Sequence, residues 1–422
     1  MTQRVDLLIY NAGQVCVVPS VAGGPQRGQA LGTLGLVENG AVAVDDGKIL
    51  EVGSSADLHA QYEAAREINA GGNAVIPGLV DPHTHLVWAG DRAAEFEQRL
   101  AGATYMDIMA AGGGINRTVR AVRAASVEQL IAETRARLDR MLRLGTTTVE
   151  IKTGYGLDIA NEIKMLDAIN RLAVDHPATI VPTFLGAHAV PAEFQGRTDD
   201  YVDLIVNEMI PAVAAYCHSH SQKPPFIDVF CEPDVFDVTQ TRRILEAGRA
   251  HGMPLKIHAD EFAGIGGTRL AVELGATSAD HLVTTPEADI RALGQGNTVA
   301  VSLPATPFGL GHTHYTPARD IINAGGILAL ATDCNPGTAW CESMQFVLAL
   351  ACRYLKITPA EALAAATLNA AYAIGLGDTV GSLESGKLAD ILILSVPDYR
   401  HLAYRFGGNL IQIVIKAGNV VV

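Results

Sequence analysis

The chain has 422 residues, 49% of them hydrophobic and 18% charged, with a formal net charge of -14. Such a chain buries a large core and has room for one barrel-type domain with an appendage. The acidic balance argues against nucleic acid or an anionic membrane surface as partner, and no apolar run approaches the roughly 20 residues that span a bilayer.

The opening Met1-Thr-Gln-Arg-Val-Asp6 meets an acid too early for a secretory leader. Cys16, Cys217, Cys231, Cys334, Cys341 and Cys352 show no Cys-x-x-Cys spacing, so reduced thiols in a cytoplasmic protein are expected. Residues 5–10 and 14–18 are predicted as a strand pair turning at Asn11-Ala-Gly13. A Gly/Pro/Gln-rich loop over 19–35 reads as mobile. Strands over 40–44 and 48–52 follow, joined by the tight turn Asp45-Asp-Gly47.

The run Val75-Ile-Pro-Gly-Leu-Val80 reads as a buried strand that ends in Asp81, Pro82, His83 and His85. Seven more candidates lie at 146–152, 179–188, 227–232, 255–260, 277–281, 298–303 and 327–333. Helical patterns separate them, among them 126–144, 161–176, 239–251 and 266–275. Eight strands alternating with helices predict an α/β fold, a (β/α)8 TIM barrel rather than an open doubly wound sheet. Strands over 391–394, 409–416 and 420–422 close the chain. Both ends are strand-rich, so a small β-sandwich domain built from both termini is expected, with residues 1–74 and 376–422 flanking a barrel over 75–375.

A barrel of this kind carries its active site at the C-terminal ends of the strands. The first strand here ends in His83 and His85, the third in His188, the fifth in His258, the sixth in His281 and the eighth in Asp333. Side chains at i and i+2 share a face, so His83 and His85 can reach one point. His83, His85, His258 and Asp333 suit one divalent ion, Zn2+ or Fe2+, with a position left for water. An ion there lowers the pKa of its water towards neutrality. The competing role for Asp333 is a helix N-cap, since Thr332-Asp-Cys-Asn-Pro336 precedes a helical stretch. His281 stays open between fifth ligand, orienter and packed residue. Asp280 is a candidate second-sphere partner, although neighbours in a strand face opposite sides. Glu261 reads as a general acid or a substrate contact, with a surface loop carboxylate as the plainer alternative. No strand-end lysine stands where a carbamylated bridge is expected, Lys152 being the one near candidate, so one metal is expected rather than two. His218 and His220 read as solvated, and His312 and His314 lie in a Gly/Pro loop.

With Pro82-x-His83-x-His85, the later His258 and Asp333, and the split β module, the chain resembles the amidohydrolase superfamily over essentially its whole length. Its nearer likeness is to members that open an imidazolone ring in histidine breakdown. That likeness is carried by Pro82-His-Thr-His-Leu-Val-Trp-Ala-Gly-Asp-Arg92, Gly112-Gly-Gly-Ile115, Glu150-Ile-Lys-Thr-Gly-Tyr-Gly156, Phe184-Leu-Gly-Ala-His188, His258-Ala-Asp-Glu261 and Thr332-Asp-Cys-Asn-Pro-Gly-Thr338. The resemblance implies hydrolysis of the cyclic amide of 4-imidazolone-5-propionate to N-formimidoyl-L-glutamate. Arg92 suits the propionate, because a guanidinium binds a carboxylate through two parallel hydrogen bonds. Tyr105, Tyr155 and His188 would add donors, and Asn335, Gly337 and Thr338 lie in reach of the ring or the new carboxylate. Gly112-Gly-Gly114 offers flexible backbone for a lid.

Under this reading Asp333 takes the proton from water and passes it to the leaving nitrogen. His281 steadies the oxyanion and Glu261 hydrogen-bonds the ring. The order of Asp333 and Glu261 as proton carrier stays open. An aminohydrolase that deaminates a nucleobase-like ring, and a non-catalytic barrel, are the rival readings. A homodimer is expected as the commonest oligomer.

Overall fold

The computed structural model describes residues 2–103 and 112–422. In chain order the described strands are β1 (Gln3–Cys16), β2 (Leu36–Asp45), β3 (Lys48–Ser54), β4 (Tyr62–Asn69), β5 (Ala74–Pro77), β6 (Leu79–Asp81), β7 (Thr146–Lys152) and β8 (Thr179–Ala187). They continue with β9 (Phe226–Cys231), β10 (Lys256–Ala259), β11 (Ser278–His281), β12 (Val299–Ser302), β13 (Ile327–Leu330), β14 (Ile391–Leu394), β15 (Ile411–Lys416) and β16 (Asn419–Val420). Two eight-stranded sheets result. One joins β1–β5 to β14–β16, and the other runs β6 to β13 in sequence order.

In the first sheet, the two strands expected at 5–10 and 14–18 are a single strand. Asn11 takes a φ of 56°, and the register slips between Ile9 and Ala12, which is a bulge rather than a reversal. The bend lets the first half of β1 pair with β4 and lets Gln14 and Val15 pair with β5. The sheet therefore curls over itself. Leu7, Ile9, Val42 and Val44 from one part pack against Ile391, Ile393 and Ile415 from the other. Both termini thus share one β module. The β2–β3 hairpin turns as expected, with Asp46 and Gly47 both at positive φ.

The loop over residues 19–35 is anchored, contrary to its composition. Gln26 is fully buried and its backbone N–H donates to Asn369 Oδ1 (2.9 Å), while Asn369 Nδ2 returns a bond to Gln26 O (2.7 Å). Arg27 donates to the carbonyls of Gly325, Gly294 and Gly296. Glycine and proline remove local order, and contacts with the floor of the barrel restore it.

All eight predicted barrel strands are present, but the first is shared. Ala74–Pro77 pairs with β1 and β14, and the chain joins β7 from Leu79 onward. The small sheet so keeps the chain to Pro77, past the boundary expected at 74. Gly78 makes the crossing, where a Cβ would lie 2.1 Å from Thr147 Oγ1. Between β13 and β6 no regular ladder forms, and single bonds close the seam. Asp81 accepts from Thr332 N (3.1 Å) and Thr332 Oγ1 (2.5 Å). At the site end, Asp333 N donates to His83 O (3.1 Å) and His85 N to Cys334 O (3.0 Å). Below them Val80 N donates to Ala366 O (2.9 Å), so a helical segment fills the gap.

The outer helices start on side-chain caps that the sequence displays. Ser126 caps Val127–Arg143, Asp158 caps Ile159–Asp175, and Asp237 with Gln240 forms a reciprocal capping box on Val238–Ala250. Their apolar stripes, such as Leu130, Leu138 and Met141, cover the barrel wall. Among the described residues no helix is long and apolar enough to cross a membrane.

Candidate metal centre

His83 and His85 leave the end of β6, His258 lies on β10, His281 ends β11, and Asp333 follows β13. All five are buried. Asp333 Oδ1 stands 3.5 Å from His83 Nε2 and 3.4 Å from His85 Nε2. His258 Nε2 is 3.4 Å from His85 Nε2. His83, His258 and His281 offer nitrogens within 4.8 Å of one another, as do His83, His85 and Asp333 with one atom each.

Strand alternation alone would not bring Asp280 and His281 to the same place. His281 takes a φ of 81° and Asp333 a φ of 53°, a left-handed conformation uncommon outside glycine. The reversal at the strand end turns the His281 ring inward, 5.1 Å from the His258 ring between centroids. Asp280 faces inward too, and its Oδ2 lies 2.6 Å from His83 Nδ1.

That contact and its counterpart orient the ligands. His83 Nδ1 donates to Asp280 Oδ2, and Asp228 Oδ2 sits 2.9 Å from His258 Nδ1. Each imidazole therefore turns its bare Nε2 to the centre, the arrangement a metal-ligating histidine needs. Asp333 Oδ2 accepts from Thr306 Oγ1 (2.6 Å), which leaves Oδ1 for the centre.

Burial pushes His85 down to about 4 and lowers His258 and, further, His281, so each presents a neutral nitrogen. Burial also works against a charged His83, but its bonds to Asp280 and Asp333 outweigh it and raise the pKa. Burial opposes charge on Asp333, yet His83 and His85 hold its carboxyl well below the usual range. His83 Nε2 and Asp333 Oδ1 are buried without hydrogen-bond partners. Unpaired nitrogen and oxygen atoms crowded into one dry spot are costly unless a cation lies among them. The residues fit one divalent metal ion.

Lys152 does not face that centre. Its ammonium bonds Glu150 Oε1 (2.7 Å) and Asp228 Oδ2 (2.8 Å), in a fully buried layer beneath the histidines. Asp228 and Lys256 escaped the reading of the sequence, and Glu150 entered it only within a motif. For Glu150 and Lys152 a signal was present, because alternate positions of β7 read Thr146, Thr148, Glu150, Lys152, polar where a closed barrel buries them.

Glu261 is no surface carboxylate. Its side chain is only 10% exposed and lies beside His281, with 3.6 Å between Oε2 and Nδ1, and desolvation together with Asp333 and Glu232 pushes its pKa well up. Glu232 shapes that loop by accepting the N–H groups of Glu261, Phe262 and Ala263. His188 stacks on His85, with centroids 4.8 Å apart, and donates from Nδ1 to Gly154 O (2.9 Å). Tyr155 packs 5.2 Å from the His188 ring. Its loop is held by Glu162, which accepts from Gly154, Gly156 and Leu157.

At the rim, Arg92 donates from Nε to Glu95 (2.8 Å), and its guanidinium packs on Gly337, where a Cβ would come within 2.4 Å. Glu95 also accepts from Gly114 N (3.1 Å), so one carboxylate ties Arg92 to the end of the glycine run. The Asn335 side chain is spent on its own loop. It donates to Asp333 O and accepts from Gly337 N and Thr338 N, and it also bonds the Thr338 hydroxyl. Tyr105 lies outside the described residues. His218, His220, His312 and His314 are exposed and join no such cluster.

A (β/α)8 barrel with imidazoles and an acid gathered at its strand ends is the arrangement expected of a metal-dependent hydrolase. Residues 74–421 match the amidohydrolase family, and residues 40–62 match the imidazolonepropionase-like composite domain of bacteria. The chain is 55% identical to the imidazolonepropionase of Herpetosiphon aurantiacus, over 99% of this chain and 97% of that one. It is 48% identical to the imidazolonepropionase of Geobacillus kaustophilus, over 99% and 98%. Among solved structures, a zinc-bound adenosine deaminase from Xanthomonas campestris superposes with a TM-score of 0.71 at 22% identity, covering 100% of this chain and 93% of that one. The 5-methylcytosine deaminase of Klebsiella pneumoniae gives a TM-score of 0.71 at 17% identity, with 98% of each chain covered. At that distance the deaminases speak for the fold alone. The chain belongs to the amidohydrolase family and, within it, to the imidazolonepropionases.

Proposed function

We propose that this enzyme hydrolyses the cyclic amide C–N bond of 4-imidazolone-5-propionate to N-formimidoyl-L-glutamate, a step of histidine degradation in the cytoplasm. The observation that carries the reading is the convergence of His83, His85, His258 and Asp333 below Arg92, in a chain 55% identical to a named imidazolonepropionase. Held by those four residues, a Zn2+ or Fe2+ ion would supply Lewis acidity and an acidified water.

The chain's own groups do the rest. Arg92 receives the propionate at the rim and so presents the ring to the centre, with Tyr155 and His188 on the flanking wall and the Tyr105 hydroxyl as a further donor. Asn335 shapes the loop that offers Gly337 and Thr338 to the ring or the new carboxylate. Water adds to the ring carbonyl carbon, and Asp333 takes its proton. His281 steadies the charge that gathers on the carbonyl oxygen. Cleavage of the C–N bond follows as Asp333 returns the proton to the departing nitrogen, while Glu261 hydrogen-bonds the ring. The barrel from Leu79 to residue 375, flanked by the module of 1–77 and 376–422, works in this proposal as a homodimer.

The test is loss of ring absorbance from freshly prepared 4-imidazolone-5-propionate, with metal content measured on the same sample. Turnover that stops with a chelator and returns with Zn2+ or Fe2+ is expected, with no ammonia from guanine or cytosine. Metal-loaded enzyme that leaves this ring intact would overturn the substrate.

A further inference from the structure

Beneath the metal centre lies a layer of five fully buried ionisable side chains: Glu150, Lys152, Asp228, Lys256 and Asp280. Burying charge is costly and is tolerated when each charge is paired. Here the pairs are not equivalent. Lys256 donates to the carbonyls of Pro82 (3.1 Å) and Ala373 (3.3 Å) and lies 3.5 Å from Asp280. It is tied mainly to backbone. Lys152 touches side chains only, with Glu150 at 2.7 Å, Asp228 at 2.8 Å and Asp280 at 3.9 Å.

Asp228 and Asp280 are the two carboxylates that orient His258 and His83, at 2.9 Å and 2.6 Å from their Nδ1 atoms. The same Oδ2 atom of each carboxylate faces both the ammonium and the imidazole. The ammonium is in direct contact with Asp228 at 2.8 Å and faces Asp280 at 3.9 Å, where Lys256 stands nearer at 3.5 Å, so it borders the orienting carboxylates of two rings on different strands.

We propose that Lys152 is a positioning residue for the metal centre, a buried cation that fixes Asp228 directly and shares Asp280 with Lys256, and thereby helps to aim Nε2 of His258 and His83 at one point. The inference rests on the metal-centre reading above and adds a residue that touches neither ion nor substrate. Glu150 completes the ammonium's third contact and accepts from Thr84 N (3.1 Å), the residue between the first two ligands.

The test loads the full-length enzyme with Co2+ and reads the visible spectrum and the ion's dissociation constant by competition with a chelator. Lys152→Met is compared with the unaltered chain, with circular dichroism as the check on folding. The expected result is affinity weaker by about 10- to 100-fold, the range for groups that hold a ligand from behind, together with an altered cobalt spectrum in a folded protein. If Lys152→Met does not fold, the charge-balanced pair Lys152→Met with Glu150→Gln is read in its place. A folded variant with unchanged affinity and spectrum overturns the proposal, and so does failure of both variants to fold, which would mark Lys152 as a residue of the barrel core. If the unaltered chain binds no Co2+, the metal-centre reading itself falls.

Discussion

Asp333 shows how much one residue carries. Its backbone N–H closes the barrel seam on His83 O, Oδ2 is fixed by Thr306, and Oδ1 faces two imidazoles. Proton transfer by a positioned group is worth about 10^2- to 10^4-fold. Asp333→Asn should lose that factor in kcat, whereas Glu261→Gln, which keeps a hydrogen bond to the ring, should lose less. Steady-state rates and metal content on both variants check this, and an active, metal-loaded Asp333→Asn enzyme would refute the assignment. Arg92 acts on binding instead. Charge-assisted hydrogen bonds contribute about 1.5–3 kcal/mol, so Arg92→Met should raise KM by roughly 10- to 100-fold with kcat little changed. An analogue lacking the propionate should show no difference between the two enzymes.

At the scale of elements, the run of residues 74–81 serves two sheets. Periodicity reads it as one strand, because both parts are apolar and buried. What divides it is Gly78, whose N–H bonds Asp390 O (2.9 Å) while its α-carbon passes against Thr147. Gly78→Ala inserts a methyl group into that contact and should cost about 1–3 kcal/mol, the usual range for an overpacked site. Urea unfolding measures it, and a variant as stable as the parent would show that Thr147 can move aside. The anchored 19–35 loop teaches a similar lesson. Its Gly and Pro content describes the local chain, whereas Gln26 and Arg27 are held by residues some 270 to 340 positions away.

Across the whole molecule, the residues proposed to hold the metal come from both sides of the barrel seam, β6 on one side and β13 on the other, with β10 opposite. Bound metal should therefore brace the whole barrel. An ion at 1,000 times its dissociation constant stabilises the state that binds it by about 4 kcal/mol. Calorimetry with and without a chelator should show a lower unfolding temperature for the stripped protein, and equal transitions would mean that the ion does not couple to the fold.

The sequence by itself determined the alternation of strands and helices, the strand-end positions of His83, His85, His258, His281 and Asp333, and the strand-rich character of both termini. These features are written in periods of two and 3.6 residues and in spacing along single strands, and they survive without knowledge of distant contacts. Only the tertiary structure decided that Asp280 and His281 both turn inward, because a left-handed φ at a strand end breaks the alternation. It also decided that Glu261 folds in beside His281 and that Lys152 faces Asp228 and Asp280 rather than the metal position. Those outcomes depend on which strands become neighbours when the barrel closes, and no local pattern encodes the partner across a barrel.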